Sequence, residues 1–413
     1  MYKRIPGTKD ILPDEANYWQ EIENISRGIF SLYGYSEIRP PVVEDVKLFN
    51  RSLGEFTEIV QKQMFLIPHQ EDTYALRPEG TASIVRAYIE NNLDKTVGFV
   101  KFYYIGPMFR LERPQKGRLR QFHHIGAEVI GSADPKVDVE VIALADNLLK
   151  AYGINGYEIK INTLGCTKDK KLLIQLLSEQ LSKKEAALCQ ECKQRLGHNV
   201  LRVLDCKDEG CQKIVKSLDI HNKHLCPECL EHFSKVKSGL DALKIKYDVS
   251  TQLVRGLDYY TRTVFEIKHS ELGAQDAIGA GGRYDNLVEE LGGPNVGAMG
   301  FAFGVERLLL VTSHKSQDTS KNLTFVITLG DKAEIEGLKL IFELRNAGIP
   351  ADTDFESKSL KGALRSASDK NAKFVVIIGE NELQKNVVML KDMDSGEQKE
   401  IKISNLVEEI KNV

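Results

Sequence analysis

Two runs rich in aromatic and β-branched residues, 97–109 and 119–130, stand either side of a segment bearing proline, glycine and arginine at 112–118. Strand formers that give way together to turn formers predict a long antiparallel hairpin closed by a polar loop. Strand-like runs return at 253–267 and 297–303, with the cluster Gly279-Ala280-Gly281-Gly282 between them. Residues 167–239, by contrast, are lysine- and leucine-rich with helical periodicity. These blocks predict one mixed sheet split by an inserted helical segment.

At 413 residues the chain exceeds one compact core of ordinary size, so two or three domains are expected. Ahead of the hairpin, Trp19, Ile22, Ile25, Ile29 and Phe30 fall at helical spacing over 18–33, and Gly34 stops them. Residues 38–44 read as a short strand that Pro40 and Pro41 confine to an edge or an interface. Residues 73–79 read as a strand end, Thr81 is placed to cap a helix over 81–91, and another helix is predicted over 138–151. Further on, residues 312–322 hold almost nothing apolar and suit a linker. Strand-like runs at 323–329, 374–379 and 386–390 then alternate with helices at 332–347 and 403–413, predicting a small α/β domain. The expected layout is a core in two parts, 1–166 and 240–311, interrupted by an insertion at 167–239, then the linker and a domain at 323–413.

With 42% hydrophobic and 28% charged residues, the composition is that of a globular protein. No apolar N-terminal core like that of a signal peptide and no window near the ~20 apolar residues of a membrane span occurs, so a cytosolic chain without membrane contact is expected. A net charge of -3 does not advertise nucleic acid, yet a nucleic acid needs only local basic patches. Arg110, Arg113, Lys116, Arg118 and Arg120 supply one, unless they form only a solvated loop. Six of the seven cysteines lie between 189 and 229, and in a cytosolic chain that favours free thiols or a metal over disulfides. Cys189-Gln190-Glu191-Cys192 and Cys226-Pro227-Glu228-Cys229 are two C-x-x-C pairs. They predict one tetrahedral structural zinc on Cys189, Cys192, Cys226 and Cys229, with free thiols as the alternative.

Three segments are more polar than packing requires. On the hairpin, Phe122 and Glu128 share a strand face by their even spacing, and Arg110 and Glu112 stand together at the loop edge. A guanidinium can fork onto phosphate, a carboxylate can accept from an exocyclic amine, and a phenyl ring can stack on a base, so the set suits a nucleotide; a partly paired surface sheet is the plainer reading. Leu253-Val254-Arg255-Gly256-Leu257-Asp258-Tyr259-Tyr260 is the second, with an aromatic cross-strand cluster as its alternative. In the third, Gly300 to Leu310 reads as a strand turning through Gly304 into a helix whose first turn carries Arg307, where an anion meets backbone N–H groups. The cluster at 279–282 lacks the spacing of a phosphate-binding loop, and a bulge or close backbone approach accounts for it.

Together these segments resemble the signature motifs of the class II aminoacyl-tRNA synthetases, and in wording those of the histidyl-tRNA synthetase family. Gly7-Thr8-Lys9-Asp10-Ile11-Leu12-Pro13 is similar to the family's opening segment, Pro41 falls where motif 1 has its proline, 109–128 resembles motif 2, Gly304 to Arg307 resembles motif 3, and Leu253 to Tyr260 resembles a histidine-specific motif. The resemblance implies an α+β fold: a class II synthetase-type antiparallel sheet with flanking helices, a largely helical insertion, and a small C-terminal α/β domain for the anticodon. It implies ATP with Mg²⁺, L-histidine and a histidine tRNA as substrates, and a homodimer through motif 1. It also implies roles. Arg110, Arg255 and Arg307 serve the phosphates, and Arg110 also holds the histidine carboxylate; Glu112 and Phe122 take the adenine; Glu79, Gly80 and Thr81 hold the α-ammonium; Glu128, Tyr259 and Tyr260 face the imidazole, and Arg255 and His124 also belong to the histidine site. His124 stands where the family usually shows glutamine, and an imidazole there introduces a charge expected to change near neutral pH. The competing expectation is a silent paralogue serving ATP phosphoribosyltransferase as regulatory subunit; such proteins typically lack the C-terminal domain and lose ATP-contacting residues.

Overall fold

The computed structural model describes every residue except 1, 55–56, 116, 219, 221–222, 313–321, 357–358 and 413. The strands, in chain order, are β1 (Ser36–Glu37), β2 (Val43–Asp45), β3 (Phe65–His69), β4 (Asp72–Leu76), β5 (Val100–Phe109), β6 (Gln121–Ile130), β7 (Tyr157–Thr163), β8 (Asp248–Val249), β9 (Thr261–His269), β10 (Ala277–Arg283), β11 (Ala298–Gly304), β12 (Thr324–Leu329), β13 (Ala351–Thr353), β14 (Phe374–Gly379), β15 (Val387–Asp392) and β16 (Gln398–Lys402). Among the described residues the chain divides into two compact units, Met1–Lys315 and Ser316–Val413. The linker expected at 312–322 lies almost wholly outside the described residues.

In the first unit, eight strands form one sheet in the order β1-β5-β6-β11-β10-β9-β7-β8. The six from β5 to β7 are antiparallel neighbours, and a short parallel strand closes each edge. The predicted hairpin is the pair β5 and β6, in register from Val100 opposite Ile130 to Phe109 opposite Gln121. β7 and β9 pair directly although some hundred residues separate them, so the sheet is indeed interrupted by an insertion. A separate three-stranded sheet, β2-β4-β3, carries the segment that follows Pro40 and Pro41.

Period-two alternation gives the large sheet two unlike faces. Ile125, Ala127 and Val129 of β6, Met299, Phe301 and Phe303 of β11, and Phe265 and Ile267 of β9 are buried in one apolar core. That core also takes Trp19, Ile22 and Phe30 of helix Pro13–Leu32, the inner residues of Pro135–Ala151, and Phe233, Val236 and Leu240 of Pro227–Ala242. Proline at N1 with Asp14 and Glu15 in the first turn starts the first of these helices, and Gly34, at φ +73°, lies just beyond its end. The next begins at Asp134, whose carboxylate accepts from the Lys136 N–H at 2.8 Å. The opposite sheet face presents His124, Gly126 and Glu128 on β6, Gly300, Ala302 and Gly304 on β11, and Ala280 and Gly282 on β10. Small residues in the middle strands leave that face hollow.

The insertion contributes helices Thr167–Ser182, Gln190–His198, Glu209–Lys216 and Pro227–Ala242. Its last helix is anchored to the core: His232 Nε2 lies 3.0 Å from Asp138 Oδ1, and the fully buried Arg283 places Nε 3.3 Å from Asp138 Oδ2. The second unit is a five-stranded mixed sheet, β13-β12-β14-β15-β16, with helix Asp331–Asn346 in its larger core. Helix Leu360–Asp369 and the strands β13 and β16 were not anticipated. Each is short, and β16, reading Gln-Lys-Glu-Ile-Lys, is mostly exposed, so apolar periodicity did not mark it.

Candidate active site

The hollow face opens into a cleft of about 680 Å³, within the size of small-molecule sites. Glu79, Gly80, Thr81, Arg110, Glu112, Phe122, His124, Arg255, Tyr259, Tyr260 and Arg307 all line it. Residues from five separate stretches thus meet in one place.

At one end is a cationic group. Arg110 gives its Nε to the Pro78 carbonyl at 2.9 Å, sets Nη1 3.8 Å from Glu112, and lies 5.3 Å from the centre of the Phe122 ring. Arg307 donates Nε to Gly117 O at 3.0 Å and Nη1 to Ala277 O at 2.5 Å. Arg255 pairs through Nη1 with Glu266, and its buried Nε finds no partner among the described residues. Burial lowers the pKa of Arg110 and of Arg307, which marks a region where cations are held short of water. Glu112 is already engaged by Arg118 at 2.9 Å.

The other end is a pocket of carboxyls and phenols. Glu79 accepts from the backbone N–H of Thr81 at 2.7 Å and of Ala82 at 2.9 Å, so Glu79 caps helix Thr81–Glu90. The expected cap, Thr81, has its hydroxyl committed elsewhere: it donates to Glu128 Oε1 at 2.7 Å. Tyr284 O–H donates to Glu128 Oε2 at 2.6 Å. Glu128 itself is only 1% exposed, and burial, with Glu79 nearby, pushes its pKa up to about 8. The proton it keeps has a measurable consequence. The unfolded group titrates near 4.5, so between there and 8 the folded chain holds a proton the unfolded chain gives up. Its contribution to stability is full below 4.5 and is lost as pH rises through 8. Thermal melts of E128Q and wild type from pH 4 to 9 should therefore diverge in slope, wild type falling more steeply; parallel curves would show that Glu128 ionises normally.

Glycines make room for this pocket. A Cβ on Gly126 would meet the Tyr104 ring at 2.4 Å, and one on Gly80 the same ring at 2.5 Å. A Cβ on Gly300 would fall 1.7 Å from Glu128 Oε2.

Three expectations change. Leu253 to Tyr260 is not a strand: β9 starts at Thr261, and Arg262 takes a φ of +44°. Side chains satisfy the carbonyls of this loop, with Asn162 Nδ2 donating to Leu253 O at 2.9 Å and Lys170 Nζ to Asp258 O at 2.5 Å and Tyr260 O at 3.1 Å. His124 does not change charge near neutrality. Burial first, then Arg110, Arg307 and Arg77, push its pKa down to about 3, and its Nδ1 is buried without a partner among the described residues. The two C-x-x-C pairs do not share a site. Cys189 and Cys192 gather with Cys206 and Cys211, while Cys226 and Cys229 gather with Cys166 and Asp169.

Residues that patterns did not single out also line the cleft. Tyr104 and Tyr284 are buried against the carboxyls, and Glu306 takes the His123 N–H at 3.0 Å and faces His123 Nδ1 at 3.0 Å. Arg195 and Arg202 reach the cleft from the insertion. Tyr104 was findable, since hairpin register sets it opposite Gly126. Nothing local marks the others.

An antiparallel sheet whose hollow face gathers arginines, a phenyl ring, carboxyls and phenols in one cleft is the arrangement of a class II aminoacyl-tRNA synthetase. The histidyl-tRNA synthetase family model matches residues 7–308, and an anticodon binding domain model matches 324–413. The chain belongs to the histidyl-tRNA synthetase family. It is 45% identical over 405 residues to the histidine–tRNA ligase of Desulforamulus reducens, covering 97% of each chain. To that of Thermosipho melanesiensis it is 46% identical over 411 residues, 98% of each. A crystal structure of apo S. aureus histidyl-tRNA synthetase superposes with a TM-score of 0.83 at 34% identity, covering 100% of both chains.

Proposed function

We propose that this chain is a histidine–tRNA ligase, which converts L-histidine and MgATP to histidyl-adenylate and pyrophosphate and then passes the histidyl group to the terminal adenosine of histidine tRNA. The observation that carries this reading is the juxtaposition, in one cleft, of Arg110, Arg255 and Arg307 with the pocket built on Glu79, Thr81 and Tyr260. Phe122 stacks on the adenine and Glu112 accepts from its amine. Arg307 takes the γ-phosphate. Glu79 and the Thr81 oxygen receive the α-ammonium, the Thr81 proton being spent on Glu128. Glu128 with Tyr260 binds the imidazole, flanked by Tyr259 and a neutral His124. A site that hydrogen-bonds both ring nitrogens rejects apolar amino acids by roughly 10⁴ or more, because they would leave its buried polar groups unpaired.

In the first step the histidine carboxylate attacks the α-phosphorus in line and pyrophosphate departs. The nucleophile enters as an anion, so no side chain must take a proton. Arg110 and Arg255 meet the charge that grows on the transferring phosphoryl group. In the second, a ribose hydroxyl attacks the adenylate's carbonyl carbon. Residues 1–166 and 240–311 form the catalytic core, 167–239 the insertion, and 323–413 the domain for the anticodon. Two copies pair through the β2-β4-β3 sheet, where Val43, Leu66 and Ile67 stand exposed. No helix among the described residues is long and apolar enough to cross a membrane, and we place the enzyme in the cytoplasm.

Histidine-dependent ATP–pyrophosphate exchange, followed by charging of a histidine tRNA transcript, tests the reading. Exchange and charging together are expected. Exchange without charging removes the tRNA step. Neither activity favours the regulatory paralogue, a reading opposed here by the complete set of cleft arginines and by the C-terminal domain.

A further inference from the structure

We propose that the insertion holds two separate structural zinc ions, one on Cys189, Cys192, Cys206 and Cys211 and one on Cys166, Asp169, Cys226 and Cys229. In each group the four ligand atoms lie within 4.8 Å of one another. Zn–S bonds of about 2.3 Å in tetrahedral array put sulfurs ~3.8 Å apart. Cys189 Sγ and Cys206 Sγ stand at 3.9 Å, close to that spacing and far outside a disulfide.

Two further observations point to thiolates around a cation. Backbone N–H groups donate to sulfur in both groups: Cys189 N to Cys211 Sγ at 3.2 Å, Cys192 N to Cys189 Sγ at 3.4 Å, and Cys166 N to Cys229 Sγ at 3.2 Å. Cys166, Cys189 and Cys226 each sit at the N-cap of a helix, where the dipole favours negative charge. Thiols packed merely as small hydrophobes would need none of this. In the second group Asp169 is 5% exposed among the cysteines, and no lysine or arginine pairs with it among the described residues. Its Oδ2 accepts from the Cys166 N–H at 3.3 Å, and a metal would add the opposite charge that no lysine or arginine brings. Soft sulfur ligands in a closed tetrahedral set select zinc over the oxygen-seeking divalent ions.

The two sites hold different things. The first ties helix Gln190–His198 to helix Glu209–Lys216, and its Cys189 and Cys206 line the cleft wall. The second joins residues some sixty apart, clamping the start of helix Thr167–Ser182, just past β7, to the start of Pro227–Ala242. Lys170, one turn into the clamped helix, is the residue that holds the Asp258 and Tyr260 carbonyls. The second zinc therefore acts as a positioning element for the loop that ends at Tyr260.

The test is metal counting on the full-length purified chain. Elemental analysis is expected to give two zinc per chain, and an organomercurial that titrates the thiols of the wild-type chain should release both. C206S and C226S should each retain one zinc. Cobalt(II) in place of zinc should show the thiolate charge-transfer bands of tetrahedral sulfur sites, stronger per ion in C226S, which keeps four sulfurs, than in C206S, which keeps three and a carboxylate. C226S should raise KM for histidine severalfold with ATP binding less affected. One zinc per chain, none, or iron in their place would overturn the proposal, and the wild-type count decides it even if either variant fails to fold.

Discussion

Alanine at Arg255 is expected to lower histidine-dependent pyrophosphate exchange by roughly 10²–10³-fold in kcat, the usual loss when one preorganised donor to a developing charge is removed. Arg255 carries an unspent buried Nε, and its other partner, Glu266, keeps Lys268 at 3.3 Å when the guanidinium is gone. The fold should therefore survive, with a melting temperature near wild type. Lysine should recover little, because it restores the charge but not the planar fork. Single-turnover formation of the adenylate, compared among the three proteins, is the measurement. A loss below tenfold would mean that Arg255 serves only to neutralise Glu266.

Alanine at Gly300 should act on the other end of the cleft and by a different cause. Its methyl would fall 1.7 Å from Glu128 Oε2 and 2.5 Å from the Ala127 carbonyl, so the carboxyl has to leave its place between Thr81 and Tyr284. Overpacking of this kind costs about 1–3 kcal/mol. Histidine binding should weaken by more than ATP binding, with KM for histidine rising at least about tenfold, since each lost hydrogen bond to a buried polar group is worth ~1–3 kcal/mol. Denaturant unfolding and separate KM values for the two substrates read the two effects. Equal weakening for both substrates would place Glu128 outside the histidine pocket.

Much of this cleft was legible because it is built on strands. In Gly300-Phe301-Ala302-Phe303-Gly304 the large rings go to the helix-covered face and the small residues to the hollow one, a division that alternation alone foretells. Phe122, His124, Gly126 and Glu128 follow the same rule. What escaped was decided by contacts across long stretches of chain. The segment 253–260 has strand-forming residues, yet Asn162 and Lys170 take its carbonyls and no ladder forms. Thr81 has the right chemistry for a cap, but Glu128, 47 positions on, claims its hydroxyl and leaves the cap to Glu79. The C-x-x-C spacing places Cys189 beside Cys192 and Cys226 beside Cys229, as in the structure, but could not say which other residues each pair meets, since that depends on how four helices turn. His124 has an ordinary pKa in sequence and a much lowered one once it is buried and set among three arginines.

The strands that flank the long excursion between β7 and β9 pair Thr163 directly with Thr263, on a single rung of one ladder. A segment that departs and returns at one rung leaves the β7–β9 ladder unbroken, so its helical part can lengthen, shorten or be rebuilt while β8 stays paired at the sheet edge. Its last residues, though, include Arg255, Tyr259 and Tyr260. A transplant of the whole excursion between relatives would therefore carry these three cleft residues with it.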